Sequence, residues 1–133
     1  MTGLEDIGRM STTTTTSTFD AAALRRAFES KDPEQLLGLY ADDATVEVVD
    51  QRNTPSSPQR HDGREAIRAH IEDLLAREMT HKVETVAVGA DAVGYSVRCA
   101  YPDGTRVVCA ATAQLRDGKI VRELGVQAWD GGS

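Results

Sequence analysis

The chain has 133 residues, of which 40% are hydrophobic and 27% charged, a composition typical of a single ordinary globular domain. Such a composition excludes collagen-like, mucin-like and wholly disordered chains. The formal net charge is −6, and no apolar run approaches the roughly 20 residues of a membrane-spanning helix. We therefore expect neither nucleic-acid binding nor a membrane protein.

Residues 1–18 are typical of a flexible tail. The run Thr12–Thr16 is polar and of low complexity, and it contains nothing that could offset the entropy of ordering. The segment also lacks the apolar centre of a secretory signal, so we expect a cytoplasmic protein. Residues 19–130 are predicted to form the domain, and residues 131–133 a short C-terminal tail.

Three helices are predicted in the first part of the domain. The first carries an apolar stripe over about 11 residues. The second begins after Asp32, a natural N-cap, and its apolar side extends to Tyr40. The third covers about residues 64–79 and follows Asp62 and Glu65, which have the spacing of a capping box.

Strands are predicted on both sides of the third helix. The segment Thr45–Asp50 is a short strand, and Val46, Val48 and Asp50 share one of its faces. Residues 51–61 contain two prolines and are predicted to be a loop. After the third helix the hydrophobic period changes to two. It predicts four sequential antiparallel strands, at 81–89, 92–101, 105–116 and 119–129.

The order of these elements indicates an α+β fold, with the helices packed on one face of a curved sheet.

The turn at residues 102–104 fixes the pairing of the strands around it. Its sequence, Pro-Asp-Gly, favours a type I turn followed by a left-handed glycine, so Tyr101 should pair with Thr105. Cys99 and Cys109 then become diagonal neighbours about 7–8 Å apart, which favours two buried thiols over a disulfide. One apolar face results, formed by Tyr95, Val97, Cys99, Tyr101, Val107, Cys109, Ala111, Ala113 and Leu115.

Motifs for nucleotide binding, metal binding and serine-hydrolase chemistry are missing from the sequence. His61, His70 and His81 do not share the spacing of metal ligands. We read His61 as a solvated loop residue and His70 as a packing residue. No metal and no cofactor are expected.

A family resemblance is carried by four stretches, Leu39–Glu47, Gly63–Ile67, Asp117–Val121 and Trp129–Asp130. In this order they resemble the nuclear transport factor 2-like superfamily, especially its SnoaL-like and ketosteroid isomerase-like branch. The resemblance covers about residues 19–130. It implies a cone-shaped, curved antiparallel sheet wrapped around three N-terminal helices, with an apolar pocket between sheet and helices. It also implies a homodimer formed through the outer face of the sheet.

The catalytic residues of ketosteroid isomerases are not retained. Those enzymes use an Asp base together with a Tyr and a protonated Asp that hold the enolate oxygen. Ungapped comparison places the base on Val48, the Tyr on Leu24, and the second Asp on Ala111 or Thr112. The resemblance therefore implies the fold and the pocket, and it excludes steroid isomerisation by that constellation.

Three other residues are candidates for proton transfer. Asp50 shares a face with Val48, and it is either a displaced base or an exposed residue at the end of a strand. His81 begins the strand after the third helix, and it is either an acid or base near neutral pH or a packed histidine. Glu123 is the third candidate, and its position depends on the register of the last strand.

Two registers are open for this last strand. The first directs inwards Val121, Glu123, Gly125, Gln127 and Trp129. The second directs inwards Ile120, Arg122, Leu124, Val126 and Ala128. Hydrophobicity favours the second, and comparison with the isomerases favours the first. In the first register Glu123 is a buried carboxylate whose raised pKa lets it act as an acid or base, whereas in the second it is a surface charge.

The pocket is expected to bind a small apolar oxygenated molecule. The expected ligand-binding residues are Tyr40, Val48, Tyr95, Cys99, Tyr101, Cys109, Ala111, Gln127 and Trp129. The favoured function is cofactor-free acid/base chemistry, namely cyclisation, isomerisation or dehydration. The alternatives are small-molecule binding without catalysis and a dimeric interaction module.

Overall fold

The computed structural model describes residues 18–130. The predicted tails, residues 1–18 and 131–133, lie outside this range except for Thr18. The helices are α1 (Ala21–Glu29), α2 (Pro33–Leu37) and α3 (Gly63–Ala76). The strands are β1 (Tyr40–Val49), β2 (Gln59–Asp62), β3 (Thr80–Val88), β4 (Ala92–Ala100), β5 (Arg106–Arg116) and β6 (Lys119–Trp129).

All six strands form one curved, open sheet in the order β2-β1-β6-β5-β4-β3. Neighbouring strands are antiparallel except β1 and β6, which run parallel to each other. The hydrophobic core lies between the sheet and the three helices. The predicted α+β fold class is confirmed. The parallel pair brings the first strand next to the last, and this contact between the two ends of the domain positions the candidate site.

Helix α2 begins as predicted and ends earlier than predicted. The Asp32 carboxylate caps it by accepting a hydrogen bond from the Gln35 backbone N–H at 3.2 Å. The helix stops at Leu37, and Tyr40 is the first residue of β1 rather than part of a helix. Tyr40 pairs with Ile120 of β6, so the sheet supplies the backbone partners that a longer helix would have provided.

The predicted capping box at the start of α3 was wrong. Asp62 is the N-cap residue, but its side chain makes no capping hydrogen bond. Its carboxylate accepts instead from the Thr45 hydroxyl at 2.8 Å and from Arg60 Nε at 2.9 Å. The Thr45 contact joins β2 to β1, whereas the Arg60 contact lies within β2. Strand β2 is a short edge strand at the end of the segment predicted to be a loop.

The hairpin register predicted from Pro-Asp-Gly is confirmed. The Tyr101 N–H donates to the Thr105 carbonyl at 2.9 Å, and Gly104 has a φ of 92°, in the left-handed region. Cys99 and Cys109 are both free. The predicted apolar face of β4 and β5 therefore lies on the core side of the sheet.

Strand β6 contains a bulge, and its residues follow one of the two open registers before the bulge and the other after it. Ile120 pairs with Leu115 and Arg122 pairs with Gln114, so Val121 is an extra residue. Ile120, before the bulge, is completely buried, as hydrophobicity predicts.

Beyond the bulge the comparison with the isomerases was the better guide. Glu123 is buried with 7% of its surface exposed. Leu124 and Val126 point outwards and are 41% and 45% exposed. One inserted residue therefore reconciles the two readings, because it shifts the inward set by one position.

Candidate active site

A cavity of about 60 Å³ lies between the concave face of the sheet and the helices. Its walls are mainly apolar and come from all three helices and from five of the strands. The helices contribute Phe28, Leu36, Ile67, His70, Ile71, Leu74 and the nearby Arg77. Because the walls are mainly apolar, the local dielectric constant is low, and a polar group in this space interacts strongly with a ligand.

Glu123 is the carboxylate in this cavity, and two tyrosines hold it. The Tyr40 hydroxyl lies 2.9 Å and 3.0 Å from the two carboxylate oxygens. The Tyr95 hydroxyl donates to Oε1 at 2.9 Å. Among the described residues, no cationic side chain forms an ion pair with this carboxylate. Its charge is therefore stabilised by two neutral donors alone.

Burial raises the pKa of Glu123 above its ordinary value, and the hydrogen bonds from Tyr95 and Tyr40 reduce this rise without cancelling it. The pKa values of both tyrosines are raised well above the usual range by burial and by the Glu123 charge. Both hydroxyls therefore stay protonated and remain donors. The raised pKa of Glu123 reduces the free-energy difference between its protonated and ionised forms at neutral pH.

The positions of these three side chains follow from the local structure. Tyr40 is placed by the start of β1, and Glu123 faces inwards because of the bulge in β6. Tyr95 lies two strands away, and in the register it faces Ala111, which in turn faces Gly125. These two small residues leave the space through which Tyr95 reaches Glu123.

His81 is the second polar group in the cavity. It is 5% exposed, its Nδ1 lies 3.3 Å from the Cys99 sulfur, and its Nε2 has no hydrogen-bond partner. Burial, with smaller contributions from Lys31 and Arg77, lowers its pKa to about 4. His81 is therefore neutral at pH 7, and its Nε2 is available to a ligand oxygen.

Asp50 is not brought together with Glu123 and His81. Its carboxylate closes the turn after β1 by accepting from the backbone N–H groups of Arg52 and Asn53 at 2.9 Å and 2.8 Å. Burial acts to raise its pKa, but the hydrogen bonds from Arg52 and Asn53 outweigh it and the pKa is lowered. It lines a second pocket outside the cavity, which matches the reading of a strand-end residue.

Most of the expected ligand-binding residues line the cavity. They are Tyr40, Val48, Tyr95, Cys99, Cys109, Gln127 and Trp129. Tyr101 and Ala111 do not line it. Tyr101 stacks on Trp129 with ring centroids 5.9 Å apart, and Ala111 packs in the core beside Tyr95.

Among the wall residues that were not proposed as site residues from the sequence, three are aromatic or titratable, namely Phe28, His70 and Arg77. Phe28 looks like an ordinary core position of α1, and its ring lies 5.8 Å from that of His81. His70 looks like a packing residue, and its ring does stack on His61 with centroids 4.2 Å apart. Arg77 follows α3 and carries no motif. Of these three residues only Phe28 had a usable sequence signal, because its helical spacing places it on the core side of α1.

Residues 18–130 lack two features. No three His, Cys, Asp or Glu side chains are grouped so that they could hold a metal ion. Within the same residues, no helix is long and apolar enough to cross a membrane.

Solved structures share this fold over most of the chain. An NTF2-like protein of unknown function from Mesorhizobium loti is 25% identical, with a TM-score of 0.67 over 81% of this chain and 89% of that one. The epoxide hydrolase/cyclase-like enzyme SalBIII, with a role in pyran ring formation in the polyether salinomycin, is 19% identical. Its TM-score is 0.62 over 80% of this chain and 86% of that one. A candidate polyketide cyclase from Sinorhizobium meliloti is 22% identical, with a TM-score of 0.59 over 77% and 89%.

The sequence comparison gives the family directly. Residues 21–123 match the model of the SnoaL-like domain. No curated protein matches the chain. SalBIII and the Sinorhizobium protein are less than 25% identical, so they add evidence for the fold alone. The chain belongs to the SnoaL-like domain family, within the nuclear transport factor 2-like superfamily.

Proposed function

We propose that this protein catalyses acid/base chemistry on a small apolar oxygenated molecule and that Glu123 transfers the proton. One observation carries the proposal. Glu123 is a carboxylate buried in an apolar cavity, and its only described hydrogen-bond donors are the hydroxyls of Tyr40 and Tyr95. A structural role alone does not account well for such a group, because burying a carboxylate without a cation is costly.

The chemistry follows from the raised pKa of Glu123. A desolvated carboxylate is a stronger base than one in water, and its protonated form persists to a higher pH than that of an exposed glutamic acid. Removing a proton beside a carbonyl and returning it elsewhere gives isomerisation. Removing a hydroxyl proton so that the oxygen adds to a conjugated C=C bond of the same molecule gives cyclisation, because the π bond breaks and its carbon takes the proton back. Removing a C–H proton while the neighbouring C–OH bond breaks gives dehydration, because a C=C bond forms and the proton leaves with the hydroxyl as water. These steps need an acid, a base and a dry pocket, and no cofactor.

Three further side chains can hold the oxygen of the ligand. The hydroxyls of Tyr40 and Tyr95 lie beside Glu123, and a ligand oxygen that takes the place of the carboxylate as acceptor would be polarised by them. Neutral His81, which also lines the cavity, offers its unpartnered Nε2. The cyclase-like names of structural neighbours agree with this class of reaction, although those proteins are similar in fold alone.

Small-molecule binding without catalysis is the second candidate function. It is favoured by the hydrogen bonds that Tyr40 and Tyr95 make to the Glu123 carboxylate, since these already satisfy it within the protein. In that case the cavity would bind its ligand by burial of apolar surface and release it unchanged.

Exchange of the α-protons of cyclohexanone in D2O separates the two functions. This ketone is small, apolar and oxygenated, and exchange requires only a base and a group that holds the oxygen. We expect the protein to accelerate exchange above the rate in buffer, as measured by proton NMR. Binding of the ketone without any acceleration would support the non-catalytic function and contradict proton transfer by Glu123.

We also propose that the protein forms a homodimer through the outer face of the sheet. Leu124 and Val126 are two of the three large hydrophobic residues that are most exposed in the described part of the chain. They lie next to each other on the outward face of β6, beside the outward Ala110 and Ala128. A second copy of the same face would cover this apolar surface.

Charge placed on this face should separate the dimer. We expect wild-type protein to sediment as a dimer and the double variant Leu124→Lys, Val126→Lys to sediment as a monomer, because each lysine would be buried without a partner. Val88→Lys is the matched control, since Val88 is equally exposed but lies at the end of β3. A monomeric wild type, or a double variant that stays dimeric, would rule out this interface.

A further inference from the structure

A second, larger pocket lies beside the apolar cavity. That pocket has a volume of about 380 Å³ and is lined mainly by polar side chains from the turn after β1, the end of α3 and the end of β6. Six residues line both spaces, so the two spaces adjoin. They are Val48, His70, Leu74, Arg77, Gln127 and Trp129. We call the two spaces the inner cavity and the outer pocket.

The sizes of the two spaces limit the length of the ligand. The inner cavity, at about 60 Å³, has room for only a few heavy atoms. Pockets that hold drug-sized molecules usually measure about 300–1,000 Å³, and the outer pocket falls within this range. A ligand that reaches Glu123 therefore places one end group in the inner cavity and the remainder in the outer pocket.

The charges of the outer pocket select the other end of the ligand. Arg52 and Arg77 both line this pocket. Asp50 is its only acidic residue, and hydrogen bonds from two backbone N–H groups and the Asn53 side chain hold its carboxylate in the ionised form. Two arginines and one aspartate leave the lining of this pocket with one net positive charge, on a chain with a net charge of −6. An anion is attracted here against the overall charge of the protein.

Glu123 fixes the orientation of such a ligand. An anionic group in the inner cavity would lie beside a buried carboxylate in a medium of low dielectric, where repulsion is strong. The apolar end must therefore enter first, and the anionic end must remain in the outer pocket.

We infer that the ligand is an amphipathic carboxylate whose head group is held in the outer pocket by Arg52 and Arg77 while its apolar end enters the inner cavity. The inference rests on the proposed function and adds the class of ligand to it. Arginine suits this task because its planar guanidinium donates two parallel hydrogen bonds to a carboxylate. One guanidinium nitrogen of Arg77 is bound to Asp73 at 2.9 Å, and this ion pair positions the side chain at the boundary of the two spaces.

Trp129 makes the inference measurable. It is the only tryptophan of the chain and it lines both spaces, so its fluorescence reports on their occupancy. The probes are octanoate, 1-octanol and octylammonium, which have the same apolar chain and different head groups. We expect octanoate to bind about tenfold more tightly than either of the others at low salt, and its affinity to fall as salt is added.

Single substitutions separate the head-group site from the inner cavity. Arg52→Gln and Arg77→Gln should each weaken octanoate by about tenfold and leave 1-octanol unchanged. Arg52 makes no ion pair among the described residues, so its variant tests the site even if Arg77→Gln is poorly folded. Arg98→Gln is the control, because Arg98 pairs with Glu84 away from both spaces. Gly125→Val should weaken the binding of all three probes, because the added side chain fills part of the inner cavity. The substitution fits the fold, since an added Cβ meets only the Cys109 sulfur, at 3.6 Å.

Each outcome decides between the claims. A preference for octanoate that is lost in the arginine variants and kept in Arg98→Gln supports the inference. Equal binding of the three probes, weakened by Gly125→Val, overturns the anionic head group and leaves the proposed apolar site standing. Failure of every probe to change the Trp129 emission contradicts both the head-group site and the proposed binding of an apolar molecule.

Discussion

Replacement of Glu123 by glutamine is expected to slow the α-proton exchange of cyclohexanone by a factor of about 10²–10⁴, the usual contribution of a general base. Glutamine has nearly the same shape and can still accept hydrogen bonds from Tyr40 and Tyr95. It cannot take up a proton at neutral pH, so the fold and the cavity remain while the reactive group is lost. Exchange rates from proton NMR in D2O measure the effect.

The matched control is Glu84→Gln. Glu84 is a partly exposed carboxylate that pairs with Arg98, and its removal should leave the exchange rate unchanged. Circular dichroism and thermal unfolding of Glu123→Gln would show that the variant is folded. A folded Glu123→Gln protein with the wild-type exchange rate would show that another group transfers the proton.

Acid should destabilise the protein through His70 and His81. In each of them burial is the main cause of a pKa lowered from 6.5 to about 4. The unfolded chain therefore takes up these protons from pH 6.5 downwards, while the folded chain resists until about pH 4. Protonation thus favours unfolding, and stability falls as the pH decreases through this window.

The expected loss is large for a small domain. A pKa difference of this size corresponds to about 3 kcal/mol for each fully buried group, and partial access to solvent reduces it. We expect a total of about 3–5 kcal/mol between pH 7 and pH 4 from urea unfolding at several pH values. Glu123 acts in the opposite direction, because its raised pKa makes the folded state bind a proton more readily than the unfolded state.

The double variant His70→Gln, His81→Gln tests this assignment. Without the two imidazoles, the fall in unfolding free energy between pH 6.5 and pH 4 should become clearly shallower. An unchanged slope would show that other groups cause the acid destabilisation.

Local signals in the sequence were sufficient for the hairpin between β4 and β5. The turn chemistry of residues 102–104 sets the register within a few residues, and the alternation of apolar side chains agrees with it. The same holds for Asp32, whose capping of α2 depends on four consecutive residues. Such features are predictable because the interactions that determine them lie close together in the chain.

The last strand shows what a local pattern cannot give. The extra residue at Val121 depends on pairing with β5 and β1, and it changes which side chains face the core. Hydrophobicity alone suggested that Leu124 and Val126 face inwards, although they are exposed. The inward position of Glu123 was predicted only through the family resemblance.

The hydrogen bonds of the site were beyond sequence reasoning for a related reason. Tyr40 and Tyr95 were expected in the pocket, but their contacts with Glu123 join three different strands. Tyr40 reaches Glu123 through the parallel pairing of β1 and β6, and Tyr95 reaches it across β5. Arg77 follows the end of a helix, where no pattern points to a pocket. Arg77 is recognised as a pocket residue only in the folded structure, where the end of β6 lies beside it.

The most direct test of the account is the titration of Glu123 itself, followed by the carbon-13 chemical shift of its carboxyl carbon. We predict a pKa above the ordinary value of 4.5, and a still higher pKa in Tyr40→Phe, because that variant removes a donor that stabilises the ionised form. A midpoint at or below 4.5 in the folded wild-type protein would contradict a desolvated, proton-transferring carboxyl in this cavity.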